Sequence, residues 1–332
     1  MSNFQIEKEL VLNFYSALDS SDVNFEEIYN EYVADDYVWR GYYPFGRLKG
    51  TEPASKFWRP FRKAITSMQR RQDIFFAGRN EIDNFNSTWV VSMGHLMGLF
   101  DTPWLGIRPT QKMVCLRYCE FTRVENGKLG ESAMYFDIPH LMIQANQNPF
   151  PKSTGAHLVQ PGPMTHDGLL FDVQDPKEGK ATLEAINFMI NDISTWNDQR
   201  TVSLTDELRR SWNEDMVWWG PAGIGATYTI ERYAKQHSGP FRAAFKERKF
   251  NGHICRVAEG CYGGFFGWPN LTLKHHGGFM GMPATNQWGD MNVIDIYRRQ
   301  GNKLSENWVF IDLLHFWKQQ GIDILARSLE FG

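Results

Sequence analysis

The chain has 332 residues, which is enough for two domains at about 150 residues each. Its 24 Phe, 12 Tyr and 12 Trp residues supply ample core material, which excludes intrinsic disorder as the main state. The formal net charge of −3 provides no basic footprint, so we expect no nucleic-acid partner. No apolar run approaches the roughly 20 residues of a membrane helix, so we expect no membrane partner.

The first half of the chain is predicted to begin with helices and to continue as strands. Helical spacing of apolar residues predicts helices over 7–18 and 52–68. Strands are predicted at 37–39, 88–93, 113–118 and 132–136, with a hairpin turn at 125–128 and a closing helix over 138–145.

The second half shows the same order of elements. Helices are predicted over 182–195 and 230–249, strands at 216–219, 292–297 and 307–311, a turn at 299–303 and a closing helix over 313–320 with Gly321 as its cap. Helices followed by an antiparallel meander indicate an α+β fold. Each half is expected to wrap a curved antiparallel sheet over its N-terminal helices, leaving a concave pocket.

Five collinear matches predict that the two halves are a diverged tandem duplication. Residues 36–41 match 215–220 at an offset of 179, whereas residues 60–64 match 240–244 and His95 matches His275 at an offset of 180. Residues 106–110 match 281–285 at an offset of 175, as does the pattern Glu-x5-Asp-x2-His that begins at Glu131 and Glu306. We attribute the change of offset to an insertion around residues 101–105 of the first copy.

The repeat predicts two domains, residues 1–148 and 180–332, joined by a linker over 149–179. Pro and Gly recur in this linker. Its apolar residues 169–171 are expected to pack on a domain surface, so we do not expect it to be flexible.

Cysteine and glycine patterns predict neither a metal nor a nucleotide. The four cysteines, Cys115, Cys119, Cys255 and Cys261, form no C-x-x-C pair and no disulfide framework, so free thiols are expected. The N-terminal decapeptide contains acidic residues and lacks an apolar core, which does not fit a secretory signal. We therefore expect a reduced, cytoplasmic compartment and a site without metal or cofactor.

The last strand of each half carries the sharpest candidates for chemistry. Alternation places Asp312 on one strand face with Glu306, Trp308 and Phe310, and Asp137 has the equivalent position in the first copy. A carboxyl group beside aromatic side chains has a raised pKa, which suits a proton shuttle near neutral pH. Each Asp also precedes a helix, so a helix N-cap is the alternative role.

Other residues are expected to assist these carboxylates or to contact a substrate. His275 and His95 are candidates to orient a substrate or share a proton, with an ordinary structural histidine as the alternative. The candidate substrate walls are Trp218, Trp219, Phe279, Trp308, Trp39 and Tyr135. For Trp39, Trp218 and Trp219, packing in the core is the favoured alternative.

These motifs together resemble the SnoaL-like polyketide cyclases, within the nuclear-transport-factor-two-like fold. The second copy has His275, residues 281–285, residues 302–308, Asp312 and residues 319–321 in the family's order. The first copy has a corresponding series but carries Ser132 and Ala133 where the family has a residue followed by Trp. The resemblance implies that Asp312 and Asp137 are acid/base residues, that His275 and His95 assist, and that the two halves pair as a homodimer does.

The expected function is cofactor-free acid/base catalysis on a hydrophobic carbonyl compound. Ring closure, retro-aldol cleavage, isomerisation and dehydration all need a proton moved beside a carbonyl group. A hydrolase that activates water with an Asp, and a protein that binds an apolar ligand without chemistry, are the alternatives.

Overall fold

The computed structural model describes residues 4–21, 23–194 and 202–330 of the chain. These residues divide into two compact units. Unit 1 comprises the described residues within Met1–Pro149, Pro161–Val173 and Asp323–Gly332, and unit 2 those within Phe150–Gln160 and Gln174–Ile322. The domain limits expected from the repeat stay a prediction. No helix in the described ranges is long and apolar enough to cross a membrane.

Unit 1 packs helices against one six-stranded sheet. Its helices are α1 (Gln5–Asp19), α2 (Phe25–Tyr32), α3 (Arg59–Ala64), which follows a π-helical turn at Ala54–Trp58, and α4 (Ile138–Gln144). Its strands are β1 (Val33–Gly41), β2 (Gly46–Lys49), β3 (Ile65–Arg79), β4 (Thr88–Phe100), β5 (Met113–Glu125) and β6 (Lys128–Phe136). The strand order is β2-β1-β6-β5-β4-β3.

Unit 2 repeats this arrangement. Its helices are α5 (Pro176–Ser194), α6 (Leu204–Ser211), α7 (Ile230–Tyr233), α8 (Gly239–Ala244), which follows a π-helical turn at Ala234–Ser238, and α9 (Leu313–Gln319). Its strands are β7 (Trp212–Trp219), β8 (Thr227–Tyr228), β9 (Arg248–Phe250), β10 (Cys255–Glu259), β11 (Tyr262–Lys274), β12 (Trp288–Gln300) and β13 (Lys303–Ile311). Helix α10 (Ile324–Glu330) follows and belongs to unit 1.

The predicted α+β duplication is confirmed, because the strand order β10-β11-β12-β13-β7-β8 repeats that of unit 1. The sheets are mixed, however, and not wholly antiparallel. Strand β1 runs parallel to β6 with Val38 opposite Glu131, and β7 runs parallel to β13 with Val217 opposite Glu306. Because other strands lie between the two partners in sequence, no hairpin joins them directly, and they can pair in parallel.

The repeated Trp-x-Gly pattern has a packing explanation. A Cβ atom on Gly41 would lie 2.0 Å from the ring of Trp39, and one on Gly220 would lie 1.8 Å from the ring of Trp218. Each glycine therefore leaves space for the indole ring two residues before it.

Several element boundaries differ from the prediction. The helices predicted to reach residues 68 and 249 end at Ala64 and Ala244, because Ile65 and Arg248 begin strands that pair with neighbours. Helix α5 begins at Pro176, within the predicted linker, and its predicted end at Thr195 lies outside the described residues. Strands β3, β10 and β11 were not predicted, since β3 has a polar centre and β11 contains three glycines and a proline.

The register also corrects the account of the repeat. Strand β4 pairs Leu99 with Met113, and β11 pairs Lys274 with Trp288, so Leu99 and Lys274 are equivalent at an offset of 175. His275 is then the counterpart of Phe100, and His95 is not its equivalent. The extra residues of the first copy lie in the connection 80–87 between β3 and β4, which is two residues, 260–261, in unit 2.

Part of the predicted linker packs as expected. Leu170 is buried, and the backbone of Phe75 bonds to Gly168 and to Leu170 at 2.8 Å in each case. The ring of Phe171 lies 5.5 Å from that of Phe75. This stretch is therefore fixed along β3 within unit 1.

Candidate functional site

A cavity of about 240 Å³ lies inside unit 2, between its helices and one face of its sheet. Most of its wall is apolar and comes from α5, α6, the π-helical turn, β11, β12 and β13. Alternate residues of β12 face it, namely Met291, Val293, Asp295 and Tyr297. The cavity therefore presents one carboxyl group to a mostly apolar interior.

The cavity lies on the strand face opposite to the predicted one. Asn307, Val309 and Ile311 of β13 line it, whereas Trp308 and Asp312 have the other parity. Because almost every residue of β13 is buried, burial marks neither face as the inner one. Because side chains alternate along a strand, assigning the inner face to the wrong set of alternate residues puts every side chain on the opposite side of the sheet.

Asp295 is the ionisable group that sequence reasoning missed. Burial raises the pKa of its carboxyl group to about 7, against smaller lowering effects of hydrogen bonds from Asn307 and Tyr297. The Asn307 Nδ2 atom donates to Asp295 Oδ1 at 3.2 Å. The residue keeps partial solvent accessibility and lines the cavity, so a ligand can reach it.

The tyrosines and histidines of the wall are neutral at physiological pH, and Arg242 is held in an ion pair. Burial, and secondarily the negative charge of Asp295, raises the pKa of Tyr233 and of Tyr297, so both phenols stay protonated. Burial lowers the pKa of His237 and of His253 to about 3. Arg242 is bound by Glu207 through two hydrogen bonds of 3.0 and 2.7 Å. Asp295 is thus the wall group whose charge changes near pH 7.

Glu120 occupies the equivalent place in unit 1. Glu120 lies opposite Met134 on β6, and Asp295 lies opposite Val309 on β13, both at the offset of 175. Burial also raises the pKa of Glu120 to about 7, which Arg70 and Tyr15 partly offset. Glu120 is only 2% exposed, and its Oε2 atom accepts a hydrogen bond of 2.8 Å from the Tyr15 hydroxyl.

Larger side chains fill the interior of unit 1. The Arg70 guanidinium lies 4.0 Å from the Tyr15 ring centre, 5.2 Å from that of Tyr118 and 5.4 Å from that of Trp58. It also forms two hydrogen bonds to Asp19, of 2.9 and 3.2 Å. In unit 2, Phe250 stands at the position of Arg70, Val293 at that of Tyr118 and Ser238 at that of Trp58. Smaller or displaced side chains therefore leave the cavity open in unit 2.

Asp312 and Asp137 cap helices. Asp312 is 1% exposed, and its Oδ1 atom accepts a hydrogen bond from the His315 backbone at 3.1 Å. Asp137 accepts the same bond from His140 at 3.1 Å, and its Oδ2 atom lies 3.7 Å from Arg117 Nη2. Neither residue lines the cavity. Both residues are therefore helix N-caps, and the acid/base role that the resemblance implies for them stays a prediction.

The predicted histidines lie apart from the cavity wall as well. His275 is fully buried, with its ring 5.1 Å from that of Trp317 and 5.7 Å from that of Phe245. Burial lowers its pKa. His95 Nδ1 lies 3.2 Å from Asp73 Oδ2 in unit 1. Neither histidine therefore lines either cavity, and the assisting role that the resemblance implies for them stays a prediction.

Of the predicted wall residues, Trp218 lines the cavity, with its indole stacked 3.9 Å from the His237 ring. Phe279 borders a smaller cavity of about 40 Å³. The other four, Trp219, Trp308, Trp39 and Tyr135, lie outside both walls.

The described ranges contain neither a candidate metal site nor a disulfide bond. No three His, Cys, Asp or Glu side chains there are grouped to hold a metal ion. All four cysteines are free thiols, as predicted.

Comparison with known proteins finds one matching family model, which covers most of the first half of the chain. Residues 9–145 match the model of the SnoaL-like polyketide cyclases. No curated protein matches the chain. Among solved structures, a candidate SnoaL-like polyketide cyclase from Jannaschia sp. CCS1 has a TM-score of 0.36 and 18% identity, with 44% of this chain and 94% of that chain covered.

Two Streptomyces proteins are similar to a comparable extent. IdmH from Streptomyces antibioticus, a candidate polyketide cyclase, has a TM-score of 0.33 and 18% identity over 42% of this chain and 99% of its own. AclR from Streptomyces galilaeus, a candidate hydroxylase, has a TM-score of 0.36 and 17% identity over 45% of this chain and 89% of its own. The resemblance predicted from the motifs is confirmed by the family model, which matches residues 9–145, and unit 2 repeats the strand order of the unit that contains them.

Proposed function

We propose that the protein is a cofactor-independent acid/base enzyme that acts on a hydrophobic, carbonyl-containing small molecule in the cavity of unit 2. The observation that carries this proposal is Asp295, an accessible carboxyl group with a pKa of about 7 in an apolar cavity. A group with this pKa is divided between acid and base at neutral pH, which is the condition for efficient proton transfer. The polyketide cyclase family of residues 9–145 supports the reaction class.

In the proposed step the Asp295 carboxylate removes a proton from the carbon beside the substrate carbonyl. The C–H bonding electrons pass to the carbonyl oxygen as an enolate forms, and Asp295 becomes the neutral acid. It then returns the proton to the product. Asn307 and Tyr297 donate hydrogen bonds that orient the carboxylate. The apolar wall keeps water from the enolate.

Ring closure, isomerisation and dehydration all use this enolate. In retro-aldol cleavage the carboxylate instead removes the proton of the β-hydroxyl group, and the enolate forms from the electrons of the C–C bond that breaks. In this proposal unit 1 plays a supporting role, because Tyr15 and Arg70 hold Glu120 in a filled interior. Proton exchange at carbon is therefore a test that precedes knowledge of the natural substrate.

The test uses 2-tetralone, a two-ring ketone with acidic protons beside its carbonyl group. Proton NMR in D₂O follows deuterium entry with wild-type protein, Asp295→Asn and Asp312→Asn. The control Asp312→Asn keeps a good N-cap residue, so it should exchange like wild type. Asp295→Asn should lose about 10²-fold or more of the rate. Equal rates in wild type and Asp295→Asn would contradict the proposal, and bound but unexchanged ketone would indicate a binding protein.

A further inference from the structure

His237 has a position that the acid/base step above does not use. It lies in the π-helical turn Ala234–Ser238, a local irregularity that is frequent at functional sites. Its side chain borders both the 240 Å³ cavity and the 40 Å³ cavity. The lining of the larger cavity therefore includes an imidazole on its helical side and the Asp295 carboxyl group on its sheet side.

Comparison with unit 1 separates the packing role of His237 from its chemistry. Phe57 has the equivalent place in the π-helical turn Ala54–Trp58, and its ring stacks 5.7 Å from Trp39. The ring of His237 stacks on Trp218 at 3.9 Å with an angle of 17°. The phenyl ring of Phe57 thus makes this stacking contact in unit 1, so the contact does not require the two ring nitrogens that His237 has in unit 2.

The imidazole is held in place, and its polar atoms remain available. Besides Trp218, the rings of Tyr233 and Phe241 each lie 5.6 Å from it. Its Nδ1 atom is buried and has no hydrogen-bond partner among the described residues. Because burial disfavours the imidazolium ion, the ring is neutral and carries one N–H donor. A buried polar group of this kind costs stability unless something in the cavity binds it.

We infer that His237 is a further catalytic residue, whose neutral imidazole donates a hydrogen bond to the substrate carbonyl oxygen while Asp295 removes the neighbouring proton. This inference rests on the proposed function for its substrate class. The donor stabilises negative charge as the carbonyl becomes an enolate, and such donors contribute about 10²- to 10³-fold in rate. A neutral donor keeps its own proton and so stays ready for the next turnover.

The experiment measures the hydrogen bond apart from turnover, by the ¹³C NMR shift of bound 2-tetralone labelled at its carbonyl carbon. His237→Phe copies the residue of unit 1, and His275→Phe is the matched control, since His275 also lies among aromatic rings but borders neither cavity. The resonance should move downfield on binding to wild type and His275→Phe and stay near its unbound position with His237→Phe. His237→Gln, which keeps an N–H donor, should recover part of the shift.

The deuterium exchange rate should fall about 10²-fold in His237→Phe. An unchanged carbonyl shift in His237→Phe with ketone bound would overturn the role of His237, as would failure of wild type to bind the ketone. A wild-type carbonyl shift without deuterium exchange would overturn the proposed function and leave the hydrogen bond established. The two proposals therefore fail by different results.

Discussion

Ionisation of Asp295 is expected to destabilise the fold, by an amount that follows from its burial. Its pKa rises from 3.8 to about 7, and each pKa unit corresponds to about 1.4 kcal/mol. The shift therefore costs the folded state up to about 4 kcal/mol. Because the Asp295 carboxylate keeps some contact with solvent through the cavity, we expect a cost of about 2–4 kcal/mol. Because the pKa is higher in the folded than in the unfolded state, the free energy of unfolding falls between about pH 4 and pH 7 and is then constant.

Asp295→Asn removes this titration while keeping the side-chain volume. Urea unfolding of both proteins, followed by tryptophan fluorescence, gives the difference in free energy at each pH. Between about pH 4 and pH 7, the free energy of unfolding of the variant should rise by about 2–4 kcal/mol relative to that of wild type. A difference that does not change with pH would refute the reasoning. Glu120→Gln should show the same sign and about 3 kcal/mol, since the pKa of Glu120 rises from 4.5 to about 7.

Four further substitutions test the contrast between an open and a filled unit. Ser238→Trp, which introduces the residue of unit 1, should fill the cavity and abolish 2-tetralone binding in calorimetry while the free energy of unfolding is maintained. Gly220→Ala should displace Trp218 and cost about 1–3 kcal/mol along with ketone binding, whereas Gly41→Ala should cost stability alone. Arg70→Met should cost about 3 kcal/mol in urea unfolding and raise the pKa of Glu120 in carboxyl ¹³C NMR, because the arginine lowers that pKa. A stable Arg70→Met protein would contradict the account of the filled interior.

The sequence was sufficient for the fold class, because the spacing of apolar residues is a local signal, and for the duplication, because matches recur at a nearly constant offset. Hydrophobic spacing located α1 and α9, and glycine marked the turn at Gly127, where φ is +71°. Strand β3 escaped because its central residues, 69–73, are polar. Their burial and partners are set by tertiary contacts, which spacing along the chain does not report.

Two residues of the motif that carries the family resemblance, Asp312 and Gln319, form hydrogen bonds that cap helix α9 and join it to strand β12. Asp312 caps α9, and the Gln319 side chain bonds the backbone of Asp290 at 2.8 and 2.9 Å. Gln144 makes the same pair of bonds to Cys115 in unit 1, both at 2.9 Å. These residues recur in both halves because each half closes its sheet in this way. The recurrence of Asp312 and Asp137 is therefore explained by this capping role, whereas their acid/base role stays a prediction.

The candidate site could be found only from contrast between the copies. Asp295 and Glu120 are acidic residues at equivalent positions of the two copies, yet they lie within strands whose two faces are both buried. The change from Phe57 to His237 and from Trp58 to Ser238 was visible in the aligned halves. Its meaning depends on which side chains meet in the interior, and that follows from strand register.

The pH dependence of deuterium exchange into 2-tetralone tests the central claim most directly. The rate with wild-type protein should rise with pH through a midpoint near 7, where Asp295 becomes a carboxylate. Glu120→Gln should keep this profile, and Asp295→Asn should show no rise above the rate in buffer. A profile that survives in Asp295→Asn, or disappears in Glu120→Gln, would contradict the assignment of proton transfer to unit 2.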